Sequence, residues 1–393
     1  MKKYRIIIII FFSLILSGCY NYRELNDLNI VSGVGIDKDG DNYLLTVQTI
    51  NTSKQTSEDK TANPKIRTYN ISAPTIQDAF RQLITLSAKR IYAEQNAVLI
   101  INEEIAKESF NEVLDIFFRD SESRKEYSVL ISQNASSNEI LETLTISETI
   151  NAISIQKRLE KENKFLGYVN NVTFNDLMYT YLNDYTEIAL PGITIIGNGK
   201  TGKNIENVES SNPDTQITLT TIGVFKKDKL VGWLNKEESL AYNFIKNKIN
   251  NTVITNKCDT DNHISIEIIN SKTKIDVDNK KNLIKINIKS NANINEITCH
   301  VNLEDPNVIS NLEKDINDNI KNNIQNTIKK VIDEFNSDIF GFKDKLYKNN
   351  ASYFKKYQNN DEILKQLEFD ITVKVNLSEK GNIQGVINYE AKN

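Results

Sequence analysis

The chain has 393 residues, 48 Lys and Arg against 52 Asp and Glu for a net charge of −4, and 39% hydrophobic residues. That balance offers nothing to a phosphate backbone, because nucleic-acid binders concentrate positive charge to release counterions, so nucleic acid is excluded as a main partner. The length suits two or three domains with ample buried cores.

The N-terminus opens with Lys2, Lys3 and Arg5, continues with an apolar run from Ile6 to Leu16, and reaches the small residues Ser17 and Gly18. This is the layout of an export signal. The run is too short to cross a bilayer core of about 30 Å, which takes roughly 20 helical residues. No second long apolar stretch follows, so the body is expected to be water-soluble and tethered at one end. Leu16-Ser17-Gly18-Cys19 looks like a bacterial lipobox, which implies removal of residues 1–18 and a diacylglyceryl group on Cys19. The alternative is an ordinary secretory signal with a chance cysteine at its end. Fatty chains such as palmitate gain about 0.8 kcal/mol per buried methylene, and two of them anchor stably where one does not. Cleavage takes three of the 48 basic side chains, leaving 45 against 52 acidic ones and a mature charge of −7.

After Cys19 the segment "NYRELNDLNIVSGVGIDKDGDNYLLTVQTIN" reads as a short helical start and two strands, Ile30 to Ile36 and Tyr43 to Ile50, joined by a polar turn. Asp37, Asp39 and Asp41 alternate as calcium ligands do, but Gly40 stands fourth where a calcium loop needs glycine sixth, and Gln48 stands at the twelfth position. A turn is the better reading. Residues 51–66 have no periodic apolar face and read as a loop. Strands over 67–72, 95–101 and 126–132 then alternate with helices over 74–89 and 103–118, which implies a sheet covered by helices. Ile105, Phe110, Val113, Leu114, Phe117 and Phe118 recur at helical steps and predict core packing.

Helices over 136–146 and 173–183 and a strand at 193–196 lead to "GNGKTGKN". From Gly197 the spacing is that of a phosphate-binding loop as far as Gly202-Lys203, but Asn204 stands where a hydroxyl would reach magnesium, and no apolar helix follows. The stretch reads as a loop linking domains at 201–213, between an N-terminal α/β region at 19–200 and a C-terminal α+β domain at 214–393.

In the second half, a hairpin over 216–225 and 229–234, a helix over 236–249 and several strands between 252 and 303 lead into a helix over 306–336. Val308, Leu312, Ile316, Ile320, Ile324, Ile328 and Val331 give that helix one apolar stripe. Short helices and strands over 369–377 and 383–390 finish the chain. The fold class is α+β, with a largely antiparallel C-terminal sheet packed by the long helix.

Export places Cys258 and Cys299 where a disulfide is permitted. Each lies near a histidine, His263 and His300, so a Cys₂His₂ metal site is a second reading and free buried thiols a third. The spacing is not a compact zinc pattern, and Cys299 and His300 would face opposite sides of a strand. Catalysis near neutral pH would rest on shifted carboxylates or lysines, but the pairs Glu103-Glu104 and Glu237-Glu238 open predicted helices, where negative charge suits the helix dipole. No nucleophile elbow, metal-ligand cluster or complete phosphate loop is present, so the sequence gives no reason to assign an enzyme, a cofactor or a metal.

Two stretches together carry a resemblance: "RELNDLNIVSGVGIDKDGDNYLLTVQTIN" behind the lipobox, and "GVFKKDKLVGWLNKEESLAYNFIKNKI" opening the second half. With "DIFGFKDKLYKNNASYFKKY" and "ITVKVNLSEKGNI", they resemble the C subunit of spore germinant receptors, the Ger(x)C lipoproteins. The resemblance implies a lipid-anchored protein on the extracytoplasmic face of the spore inner membrane, working with the integral membrane A and B subunits to support germination triggered by small nutrients. Tyr20 follows the cysteine where many relatives carry tryptophan. Only Cys19, as the acylated residue, carries over by position. Trp233 and the helix after it are one docking candidate, the alternative being that Trp233 fills the second domain's core. The rival functions are a solute-binding lipoprotein that delivers a ligand to a transporter, against which the antiparallel second half argues, and an exported enzyme using carboxylates.

Overall fold

The computed structural model describes Tyr4 and residues 28–50, 66–119, 124–146, 148–258, 261–278, 282–298, 301–354 and 362–379. The expected signal segment apart from Tyr4, together with Cys19, Cys299, His300 and the expected strand at 383–390, lies outside the described residues.

The first half is a nine-stranded sheet with helices on both faces. Strands β1 (Leu28–Asp39), β2 (Asn42–Ile50) and β3 (Ile66–Ala73) form an antiparallel meander. The other side of β1 pairs in parallel with short β4 (Arg90–Tyr92) and with β5 (Val98–Asn102), followed by parallel β6 (Ser128–Ser132) and β7 (Ala189–Ile196). The sheet ends in antiparallel β8 (Gln216–Lys226) and β9 (Lys229–Trp233), which the sequence reading groups with the second half. Strand β5 shows why a parallel strand reads as one apolar run. Leu99 and Ile101 enter one core while Val98 and Ile100 enter the other, so both faces are buried.

One core is lined by α1 (Ile76–Gln82), α2 (Glu103–Glu108), α3 (Asn111–Arg119) and α6 (Phe174–Tyr181), and the other by α4 (Ser137–Glu142) and α5 (Asn151–Phe165). Gly33 and Gly35 let α4 and α5 approach β1 closely, since a Cβ on Gly35 would stand 2.5 Å from Ser137 Oγ and one on Gly33 2.8 Å from the Ala152 Cβ.

Three details depart from the sequence reading. The helix expected over 103–118 breaks at Ser109, whose backbone is extended, because Ser109 Oγ and the Phe110 N–H both bond to Asp228 in the β8–β9 turn. Helix α5 has no counterpart in the reading. The expected loop at 201–213 is packed. Asn198 caps α7 (Gly199–Gly202), the Leu144 N–H donates to Gly202 O at 2.9 Å, and Asn207 of α8 (Ile205–Glu209) exchanges two 3.0 Å bonds with the Thr215 backbone.

The second sheet has the order β10 (Thr252–Lys257), β11 (His263–Asp278), β12 (Leu283–Ile297) and β13 (Glu368–Glu379). Its first two pairings are antiparallel, while β12 and β13 are parallel because the chain crosses over through α10 (Pro306–Asp333). Ile316, Ile320, Ile324, Ile328 and Val331 of α10 are buried as the stripe predicts. Further along the same face, Asn317 Oδ1 accepts from the Val375 N–H at 2.8 Å and Glu313 Oε1 from the Leu377 N–H at 3.0 Å, so the helix occupies these outward-facing donors of β13. Helix α9 (Lys236–Ile245) links the two halves. Asn243 donates to the carbonyls of Gly167 and Val169, and Glu238 pairs with Lys330 at 2.8 Å.

Across the second sheet, Lys272, Lys289 and Lys374 stand in register on three adjacent strands, all exposed. Like charges directly opposed weaken a sheet. Replacing the central one, Lys289→Thr, is therefore expected to raise stability by about 0.5 kcal/mol, read as a higher urea midpoint.

Candidate functional site

The Asp37–Gly40 turn is not a cation loop. Asp37 is buried at the end of β1 and accepts four hydrogen bonds: from the Ser137 N–H at 2.8 Å, Ser137 Oγ at 2.6 Å, the Asn138 N–H at 2.9 Å and Asn102 Nδ2 at 2.9 Å. Its charge meets the start of α4, where the amides point outward. Gln48 likewise serves the interior. Its Oε1 accepts from Ser32 Oγ at 2.9 Å, and its Nε2 donates to Leu141 O at 2.8 Å and to Asn151.

The Gly-rich stretch is structural as well. Gly197 has φ +93°, and Glu139 lies against Gly199, so a carboxylate stands where a phosphate loop would need open amides. Lys203 faces Glu142 at 3.6 Å.

Both acidic pairs lie in the first turn of a helix capped by an asparagine. Asn102 and Asn235 accept from the amides of Glu104 and Glu238, and Glu238 closes a capping box before pairing with Lys330. Glu103 accepts from Trp233 Nε1 at 2.9 Å and pairs with Lys107 at 2.9 Å. Burial opposes ionisation of Glu103, yet these two partners hold its carboxyl below the usual range. Trp233 is thus half-buried against the first sheet's core and engaged inside the molecule, although its partner lies in the first half instead of the second. Among the described residues no group of His, Cys, Asp and Glu could hold a metal, and no helix is long and apolar enough to cross a membrane. Cys258 is disulfide-bonded.

A cleft of about 730 Å³ opens between β2, α1, α3 and the end of α6, lined by Tyr43, Ile76, Glu112, Asp115, Phe118 and Tyr181. Tyr43 donates to Glu112 at 2.5 Å, and burial followed by this carboxylate pushes its phenol up to about 12. Asp115 pairs with Arg119 at 2.8 Å. The sequence shows Glu112 and Asp115 one helical turn apart, but nothing in it points to Tyr43, a strand residue far upstream.

Glu162, near the end of α5, is pushed up to about 7 by burial, with Lys236 opposing. A raised carboxyl pKa means the fold prefers the protonated form. Stability from this group is full below about 4.5 and is lost as the pH climbs to about 7. The expected fall is on the order of 1–2 kcal/mol after allowance for solvent screening. Glu162→Gln should flatten that part of the stability profile, measured by urea unfolding across the range.

Comparison with known proteins follows the two halves. The family model for the spore germination protein N-terminal domain matches residues 21–195, and that for Spore germination B3/GerAC like, C-terminal, matches residues 220–381. The chain is 26% identical to spore germination protein KC of Bacillus subtilis (strain 168), with 96% of each chain covered. It is 22% identical to spore germination protein GerQC of Bacillus cereus, over 97% of this chain and 99% of that one. The crystal structure of the GerBC protein has the same fold, with a TM-score of 0.52 at 18% identity, over 87% of this chain and 96% of its own. With both of its halves matched in order, the chain belongs to the Ger(x)C family of spore germination proteins.

Proposed function

We propose that this protein is the lipid-anchored C subunit of a spore germinant receptor. In this role it docks through its folded body on the integral membrane A and B subunits and supports their nutrient-triggered response without a catalytic step of its own. The observation that carries the reading is the order of parts: a lipobox ending at Cys19, directly followed by an N-terminal and a C-terminal germination domain that together span residues 21–381. A lipid anchor confines the body to the membrane plane and raises its effective concentration near its partners, so modest interfaces serve. The engagement of Glu103 with Lys107 and of Glu238 with Lys330, both in helix first turns, supports a non-catalytic role. The rival of a solute-binding lipoprotein with two similar lobes is disfavoured, because the four-stranded second sheet does not repeat the nine-stranded first.

Cys19→Ala is the direct test. The variant is expected to leave the spore inner-membrane fraction and to lose most of the germination response to nutrients, whereas the native chain co-purifies with the A and B subunits. A variant that stays in the membrane and germinates normally would refute the anchor.

The same reading places the domains in an oxidising compartment, and Cys258 with Cys299 is the pairing that fits it. Lys257 pairs with His263, and the Thr298 N–H donates to His263 O at 3.0 Å, so the residues that precede Cys258 and Cys299 in the sequence flank one residue. Thiol titration of the unfolded, unreduced protein should find neither of them free.

A further inference from the structure

The N-terminal end of β1 adjoins a surface that is both apolar and basic on an acidic molecule. Ile84 and Leu86 are 64% and 52% exposed. Between Arg81 and Tyr92 the chain holds three basic residues, Arg81, Lys89 and Arg90, and no acidic one. Arg81 and Arg90 are exposed and Lys89 is half-buried. The flanking acids are engaged: Asp78 accepts from Gln82 at 3.0 Å and Glu94 from the Tyr92 hydroxyl at 2.6 Å. Leu83 is buried and fixes the turn in the core, so its apolar neighbours face outward on a supported backbone.

This segment is tied to the place where the anchored chain enters the fold. Leu28, Asn29 and Ile30 pair in parallel with Arg90, Ile91 and Tyr92, and Asn29 Nδ2 donates to Ser87 Oγ at 2.7 Å. Leu28 is nine residue steps from Cys19, a span of at most about 30 Å when fully extended. An anchor at Cys19 therefore keeps the start of β1 within that reach of the bilayer, and the segment of Ile84 and Leu86 is tied to it through Ser87 and Arg90.

We infer that Ile84, Leu86, Lys89 and Arg90 form a second membrane contact. The two apolar side chains enter the interface of an anionic bilayer and the basic ones lie at its headgroups, which fixes which side of the body faces the membrane. The inference rests on the reading of Cys19 as acylated. Apolar side chains combined with basic ones are what an interfacial contact needs, and attraction of Lys and Arg to anionic headgroups falls off within a Debye length, so it acts only on a patch held close. The body's net negative charge is repelled by the same surface, which makes the basic patch at the tether the favoured side.

Hydrogen exchange on the full acylated chain tests this, comparing vesicles of phosphatidylglycerol and phosphatidylethanolamine with neutral detergent micelles. Amides of residues 84–90 are expected to exchange at least ~5-fold more slowly on the vesicles. Ile84→Glu with Leu86→Glu should abolish the difference, while Ile196→Glu with Ile205→Glu, at exposed positions elsewhere, should preserve it. Unchanged exchange in β5 and β6 of both variants shows that they fold. Equal exchange in vesicles and micelles by a chain that sediments with vesicles overturns the patch and spares the anchor. A chain that does not sediment with vesicles overturns both. Protection that appears only once the A and B subunits are added assigns the surface to a protein and overturns the proposal.

Discussion

Asp37→Ala is expected to destabilise the protein by about 3–5 kcal/mol, seen as a large drop in the urea midpoint. The substitution strands four donors at once in a buried site: two amides at the start of α4, the Ser137 hydroxyl and the Asn102 side chain. Each buried donor left without an acceptor costs about 1–3 kcal/mol, partly relieved where water can enter. Asp37→Asn keeps the shape but turns an amide N–H₂ towards groups that also donate, so about half the loss is expected. Calcium should leave the midpoint of the native protein unchanged, because the carboxylate oxygens are already occupied. A loss below about 1 kcal/mol for the alanine variant would mean that α4 is held to β1 by apolar packing alone.

Gly197→Ala should be nearly as damaging, at about 3 kcal/mol or more. Gly197 sits at φ +93°, where an L side chain is strained, and an added Cβ would stand 1.9 Å from the Asp214 carbonyl oxygen, a backbone atom that cannot swing aside. By contrast, Lys200→Ala and Lys203→Ala should each shift stability by less than about 0.5 kcal/mol, as exposed lysines with weak partners do. A phosphate-binding loop would show the reverse pattern, with the lysines dominant. The comparison thus separates a glycine kept for backbone geometry from one kept for a ligand.

These two positions also show what the sequence made legible. The apolar periodicity of α10 and the alternation in "NLIKINIKSN" of β12 follow from burial on one face, and the structure bears them out in Ile316 to Val331 and in Ile284, Ile286 and Ile288. Helices with caps were visible: Ser136 with Glu139 opens α4 and Asn235 with Glu238 opens α9. Helix α5 was not. Ile150 supplies no capping side chain, and the apolar stripe is only Ala152, Ile155 and Leu159. The break at Ser109 depends on Asp228, more than a hundred residues away, which no local pattern encodes. Asp37 looked like a turn residue because its partners lie on α4, and Trp233 gave no sign that it would reach back to Glu103. Tertiary hydrogen bonds of this kind are set by three-dimensional proximity, so composition and period cannot reveal them.

The way α10 lies along β13 has a consequence for life at high local concentration. A sheet border with idle amides invites another polypeptide to add itself as an extra strand. Because Asn317 and Glu313 already hold the amides of Val375 and Leu377, a would-be neighbour must first strip away helix side chains before it can zip on. The long helix therefore works as a built-in guard against self-association through that margin.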